Sequence, residues 1–246
     1  ETRLQSIVCR KAYGHSAVQE LQKLGLLNPS CTLAHCIWLD DSDFNLLAES
    51  RATVVHNPVS NLKLGSGIAN IPEMAKRNIK LALGTDGAAS NDNQNMFAVL
   101  KLTGLLHSPA IWDANTWINA AQVIEMATVG GAKVLGYENL GHLQAGALAD
   151  IVLLDLARGY QQPLGDAANY LVYSETGASV SDVIVNGQWV VQDRRVSTFN
   201  ENRTHQDLLV NLQAFQRDHP RPNDEIQSLI CDWSEALRAI LEEGGF

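Results

Sequence analysis

Residues 31–35 read Cys-Thr-Leu-Ala-His, residues 52–56 read Ala-Thr-Val-Val-His, and residues 79–86 read Ile-Lys-Leu-Ala-Leu-Gly-Thr-Asp. Each is a short apolar run that ends in a polar side chain, which predicts three strands finishing at His35, His56 and Asp86. Helical segments separate them. Ser16 and Gln19 have the spacing of a capping box, with Gly25 as the stop. The Asp40-Asp41-Ser42 cluster starts a second helix carrying Phe44, Leu46 and Leu47, and a third is expected near Pro72–Asn78. Alternating strands and helices predict a parallel α/β sheet with helical crossovers. In a (β/α)8 barrel the C-terminal strand ends carry the active site, so polar residues there read as catalytic. Such a barrel takes roughly 250 residues, so the stretch from Glu1 to Gly136 accommodates about half of one.

Outward from these strands, further helices are expected at Asn93–Leu106 and about Thr116–Leu135. Beyond Gly146 the pattern changes. Ile151–Asp155 and Val183–Val191 read as strands without intervening amphipathic helices, and Asn186-Gly187 is a hairpin dipeptide. Tyr13 and the segment Cys9–His15 are expected to extend a loop after Glu1. In the tail, Asn223 is positioned to cap a helix carrying Ile226, Leu229, Ile230, Trp233, Leu237, Ile240 and Leu241. The expected division is therefore 1–145 for the half-barrel, 146–200 for a β-sandwich segment and 201–246 for a helical tail.

Composition narrows the function. The chain has 246 residues, 46% hydrophobic and 18% charged, with a net charge of −9 that argues against nucleic acid or an anionic membrane as partner. Cys9, Cys31, Cys36 and Cys231 show no CxxC spacing, and four cysteines are too few for a disulfide framework, so a cytoplasmic setting is expected. No apolar run approaches the roughly 18–20 residues needed to span a bilayer.

The motifs themselves resemble a known family. His35-Cys36, the run His56-Asn57-Pro58-Val59-Ser60-Asn61-Leu62-Lys63-Leu64-Gly65-Ser66-Gly67, and Leu83-Gly84-Thr85-Asp86-Gly87-Ala88-Ala89-Ser90-Asn91 resemble the amidohydrolase superfamily. The likeness is to the branch of methylthioadenosine/S-adenosylhomocysteine deaminases, guanine deaminases and triazine chlorohydrolases. The segment 141–152 is similar to that family's exit from barrel to β-sandwich, and the resemblance runs from Glu1 to about Val196.

It implies one divalent metal, Zn²⁺ or Fe²⁺, bound by a His-x-His pair, a fifth-strand histidine and an eighth-strand aspartate. Asp86 matches the aspartate. No His-x-His occurs in the chain, and Glu1-Thr2 matches the end of a His-x-x-Glu-Thr motif, so the other ligands are expected upstream of residue 1. The implied roles are Glu1 as proton carrier, His35 as a contact to substrate and attacking water, and Asp86 as metal ligand and proton acceptor. His35, His56 and Ser90 are the expected substrate contacts. For His56 a brace on the Asn57-Pro58 turn is equally open. Ser60, Asn61 and Ser90 read either as pocket polars or as local turn residues.

The implied activity is hydrolytic deamination of an amino-substituted nitrogen heterocycle, of purine or triazine type. The alternatives are a triazine-type chlorohydrolase or dealkylase, or a non-catalytic chain acting in assembly. The expected partner is a small heterocycle, with a homodimer as the expected assembly.

Overall fold

The computed structural model describes residues 1–157, 165–219 and, in the tail, 228, 229, 231, 233–235, 238 and 239. Helix α1 spans Arg3–Tyr13, so the stretch Cys9–His15 is mostly helical and not the loop expected from sequence. The cause is local. Thr2 accepts from the Gln5 amide at 3.2 Å and the Gln5 side chain accepts from the Thr2 amide at 2.8 Å, a reciprocal cap. Helix α2 (Ala17–Lys23) begins on the expected Ser16–Gln19 box, and Gly25 follows it at φ +70.

Strand β1 (Thr32–Ala34) leads to α3 (Asp41–Ser50), which is capped by Asp40 and buries Phe44 and Leu47. Strand β2 (Thr53–His56) is followed by α4 (Pro58–Lys63), α5 (Ile71–Lys76) and β3 (Lys80–Leu83). Helix α4 was not expected from the sequence; Pro58 at its first turn suits that position, where the missing N–H has no helical partner anyway. The three strands form one parallel sheet in the order β1-β2-β3, registering Leu33 on Val54 and Val54 on Leu81. Parallel pairing with helical crossovers makes the chain an α/β protein, as its sequence predicts.

After α6 (Ala88–Asn91) and α7 (Met96–Leu105), a long helical stretch runs through α8 (Ala120–Glu125), a π-helical turn at Met126–Gly130 and α9 (Gly131–Val134). The π turn sits against β3. A Cβ on Gly130 would stand 2.3 Å from the Leu81 carbonyl oxygen, so only glycine permits this approach of helix to strand. Leu47, Val54, Ile71, Met74, Val99 and Val123 are fully buried in the core between sheet and helices. Each fully buried aliphatic side chain contributes roughly 1.5–3 kcal/mol before entropy is counted.

The second sheet is antiparallel, with β4 (Ile151–Leu154), β5 (Val180–Val185), β6 (Gln188–Gln192) and β7 (Arg195–Val196) in sequence order. Asn186 at φ +49 and Gly187 at φ +76 make the expected tight hairpin turn. One expectation fails here. Helix α10 (Ala167–Tyr173) lies between β4 and β5, capped by Asp166 and burying Tyr170 and Val172. Helix α11 (Glu201–Asp218) is capped by Asn200 and leaves Leu208, Leu209, Val210 and Phe215 exposed. The expected cap at Asn223, with Ile226, Ile230, Leu237, Ile240 and Leu241, lies outside the described residues, whereas Leu229 and Trp233 are described and exposed. Among the described residues no helix is long and apolar enough to cross a membrane.

Candidate active site

The site lies where the three parallel strands end. His35 follows β1 at φ +68, and its amide donates to the Val55 carbonyl at 2.9 Å, so the chain leaves the sheet in a left-handed turn. Cys36 continues that turn at φ +48. Asp86, three residues past β3, sits at φ +62. Left-handed backbone at residues other than glycine costs on the order of 1–3 kcal/mol and collects at functional positions. Here it re-aims two of the three predicted reactive side chains.

The segment from α4 to Gly67 meets all three of them. The Ser60 hydroxyl donates to Asp86 Oδ2 at 2.5 Å, Asn61 Oδ1 lies 2.7 Å from His35 Nδ1, and the Ser66 hydroxyl donates to Glu1 Oε1 at 2.8 Å. Ser60, Asn61 and Ser66 are 0%, 1% and 3% exposed. The segment is itself held. The Trp38 indole N–H donates to the Ser66 carbonyl at 2.8 Å, and Gly67, at φ +120, lies close against the Ile37 and Trp38 side chains. Arg3 lies over the Trp38 ring at 5.5 Å.

Glu1 Oε2 stands 3.5 Å from His35 Nε2. Asp86 Oδ1 accepts from the Gly87 amide at 2.7 Å. The Ser60 hydroxyl first, and then the Gly87 amide, hold the Asp86 carboxyl below the ordinary carboxylate range. Asp86 is therefore an anion at neutral pH. Bonded by the Ser60 hydroxyl on Oδ2 and the Gly87 amide on Oδ1, with Ser90 adding to the same effect, it keeps lone pairs for a further partner.

His56, the second strand-end histidine, is wholly buried, and among the described residues neither of its ring nitrogens has a partner. Burial first, then the charges of His107 and His35, push its pKa down to about 3. It is a neutral imidazole beneath the strand ends. The Ser90 hydroxyl donates to the Gly87 carbonyl at 3.0 Å and helps hold the Asp86 turn. Asn91 closes the same turn, its side-chain Nδ2 donating to the Thr85 carbonyl at 2.6 Å.

Among the described residues no group of three or more His, Cys, Asp or Glu side chains is arranged to hold a metal. A zinc site takes at least three protein ligands. Asp86 fits such a site as one anionic oxygen donor, and these residues fit a metal only as part of a larger ligand set.

Sequence reasoning left Ser60 and Asn61 undecided and gave Ser66 no role. A signal was available. Three hydroxyl or amide residues fall within seven positions of one motif, where a solvent-exposed loop would not need to bury them.

Comparisons with known proteins bear on what this geometry serves. The model of the Amidohydrolase family matches residues 2–190. The chain is 39% identical over 203 residues to a 5'-deoxyadenosine deaminase of Methanosarcina mazei, covering 82% of this chain and 46% of that protein. It is 40% identical over 194 residues to a 5-methylthioadenosine/S-adenosylhomocysteine deaminase of Acetivibrio thermocellus, covering 78% and 45%. The crystal structure of an atrazine chlorohydrolase from Arthrobacter aurescens complexed with zinc superposes with a TM-score of 0.81 at 29% identity, covering 85% of this chain and 47% of that one. The chain thus spans about half the length of the curated relatives it matches. The strand-end motifs, the α/β sheet and these matches agree: the chain belongs to the amidohydrolase family.

Proposed function

We propose that this chain supplies the acid–base side of the active site of a metal-dependent hydrolase that removes the amino group from a purine-type heterocycle, adenine nucleosides first. The observation that carries this is the convergence of Glu1, His35 and Asp86 on one buried polar segment. The two deaminase relatives named for adenine nucleosides support the substrate class.

In this proposal residues 1–145 are the C-terminal half of a (β/α)8 barrel, 146–200 part of a β-sandwich and 201–246 a helical tail. The parallel β1-β2-β3 sheet with helical crossovers supports the barrel, and the antiparallel β4–β7 sheet supports the sandwich. Asp86 would hold a divalent metal, zinc first, together with donors outside the described residues. Such a metal lowers the pKa of bound water from 15.7 to about 7 and so makes hydroxide available at neutral pH.

The chain's own groups handle protons and orientation. The nucleophile adds to the ring carbon bearing the amino group, and the adjacent ring nitrogen gains a proton. Glu1, tied by Ser66, carries that proton. Asp86 takes the proton the attacking water gives up. Asp86 then passes its proton to the amino group, the carbon–nitrogen bond breaks as ammonia leaves, and the hydroxyl proton of the adduct goes to Glu1 as the carbonyl forms. His35 orients the attacking oxygen. Ser90, beside Asp86, is assigned a contact to the heterocycle, whereas His56, wholly buried, lies behind the surface a substrate would touch.

The test is ammonia release from 5'-deoxyadenosine by the zinc-loaded gene product. Release above the rate of a zinc-free control is expected, and its absence would overturn the proposal. The likeness to an atrazine chlorohydrolase favours a second substrate, a chlorotriazine, for which chloride is the product to measure.

A further inference from the structure

We infer that Asn61 is a positioning residue that keeps the His35 proton on Nδ1, so that His35 Nε2 faces the reacting centre as a hydrogen-bond acceptor. The inference rests on the deaminase proposal for its catalytic meaning, but not for its geometry. Asn61 Oδ1 lies 2.7 Å from His35 Nδ1. A carboxamide oxygen only accepts, so the bond requires the proton on Nδ1 and leaves the Nε2 lone pair bare.

Nε2 faces Glu1 Oε2 at 3.5 Å, longer than the roughly 2.7–2.9 Å of a charge-assisted bond, so among the described residues the ring's one short bond is at Nδ1.

The backbone places the two residues: His35 leaves β1 in a left-handed turn with its amide bonded to Val55, and among the described residues the Asn61 Nδ2 has no partner, so the bond to His35 is the one that orients the Asn61 amide. Asn61 is 1% exposed and sits in α4 next to Ser60, which holds Asp86. The reversed amide would set Nδ2 on His35 Nδ1 and force the proton to Nε2. The two orientations give opposite chemistry. With Nε2 as acceptor, His35 takes a hydrogen bond from the attacking water and aims its oxygen at the ring. With Nε2 as donor, it would stabilise the oxygen after addition.

The test is nitrogen NMR of the full chain labelled with ¹⁵N-histidine at neutral pH, with His35→Gln identifying the His35 signals. A protonated Nδ1 and a bare Nε2 are expected in the unaltered protein and in Asn61→Asp, where a carboxylate oxygen accepts the same bond. In Asn61→Leu the proton is expected to shift wholly or partly to Nε2. A protonated Nε2 in the unaltered protein would overturn the inference, as would an unchanged Nδ1 proton in Asn61→Leu. If Asn61→Leu does not fold, the unaltered protein and Asn61→Asp decide the matter.

In the zinc-loaded gene product Asn61→Leu is expected to lower kcat by ~10–100-fold, the usual effect of losing a supporting hydrogen bond to an active-site group. KM should stay nearly unchanged, and Asn61→Asp should retain most of kcat. If the NMR result holds while no variant, nor the unaltered protein, releases ammonia, the deaminase proposal fails and the positioning role stands.

Discussion

The hydroxyl of Ser60, a side chain with no exposed surface, donates to Asp86 Oδ2 at 2.5 Å across 26 residues of sequence. This bond orients the Asp86 carboxylate, the metal donor of the proposed function, and keeps it ionised. Ser60→Ala removes the bond but leaves little empty space. Its deamination rate is expected to fall ~10–100-fold, the range for supporting groups of a metal ligand. A variant with the full rate would show that Asp86 needs no such support.

Gly130 illustrates a packing constraint far from the chemistry. A Cβ there would stand 2.3 Å from the Leu81 carbonyl oxygen and 3.2 Å from the Ala82 Cα, both backbone atoms of β3. Gly130→Ala must push the π-helical turn off the strand, at a cost of about 1–3 kcal/mol for overpacking. Urea unfolding is expected to show a lower midpoint with a similar slope, and an unchanged midpoint would contradict the close approach.

His56 makes stability depend on pH. Its folded pKa is pushed from 6.5 down to about 3, chiefly by burial, so the unfolded chain takes up a proton where the folded chain does not. Stability should be level above pH 6.5 and decline as pH falls from there toward 3. His56→Leu removes this contribution. The stability difference between the two proteins is expected to move in favour of the variant as pH drops through that window, measured by urea unfolding. A constant difference would mean that the imidazole is hydrated or paired.

Glu175 acts in a lower window. Burial disfavours its charge, but bonds from the Tyr170 and Ser179 hydroxyls and from the Ser179 and Gly177 amides outweigh burial and hold its pKa near 2, below the ordinary 4.5. The resulting stability is present above pH 4.5 and is lost as pH falls toward 2, up to about 3 kcal/mol for a shift of this size. Glu175→Gln should be less stable at pH 7, with the gap narrowing below pH 4.5. Equal stability at pH 7 would show that the carboxylate contributes nothing.

How much of this was legible beforehand follows from where each signal resides. The strands leading to His35, His56 and Asp86 were readable because each is a run of mostly apolar side chains followed by a polar residue, although β1 stops at Ala34 and β3 at Leu83. The Asn186-Gly187 turn was readable because two successive positive φ angles demand such residues. Helix α1 was missed because its start rests on a hydrogen-bonded pair, Thr2 and Gln5, while Cys9–His15 lacks a clean apolar stripe. Helix α10 is seven residues long, too short for periodicity, and its burial of Tyr170 and Val172 depends on tertiary packing. The Ser66–Glu1 bond joins residues 65 apart, a relationship that local pattern does not carry. The polar residues at and just past the strand ends were thus legible through their motifs, and the hydrogen bonds that Ser60, Asn61 and Ser66 make to them were not.

The central claim is that Asp86 at the end of β3 binds the metal of a hydrolase, and the most direct measurement is the zinc content of the purified gene product beside Asp86→Asn. Near-stoichiometric zinc in the unaltered protein and a large loss in the variant, with circular dichroism unchanged, are expected. Zinc retained in full by Asp86→Asn, or no metal in either protein, would contradict the account.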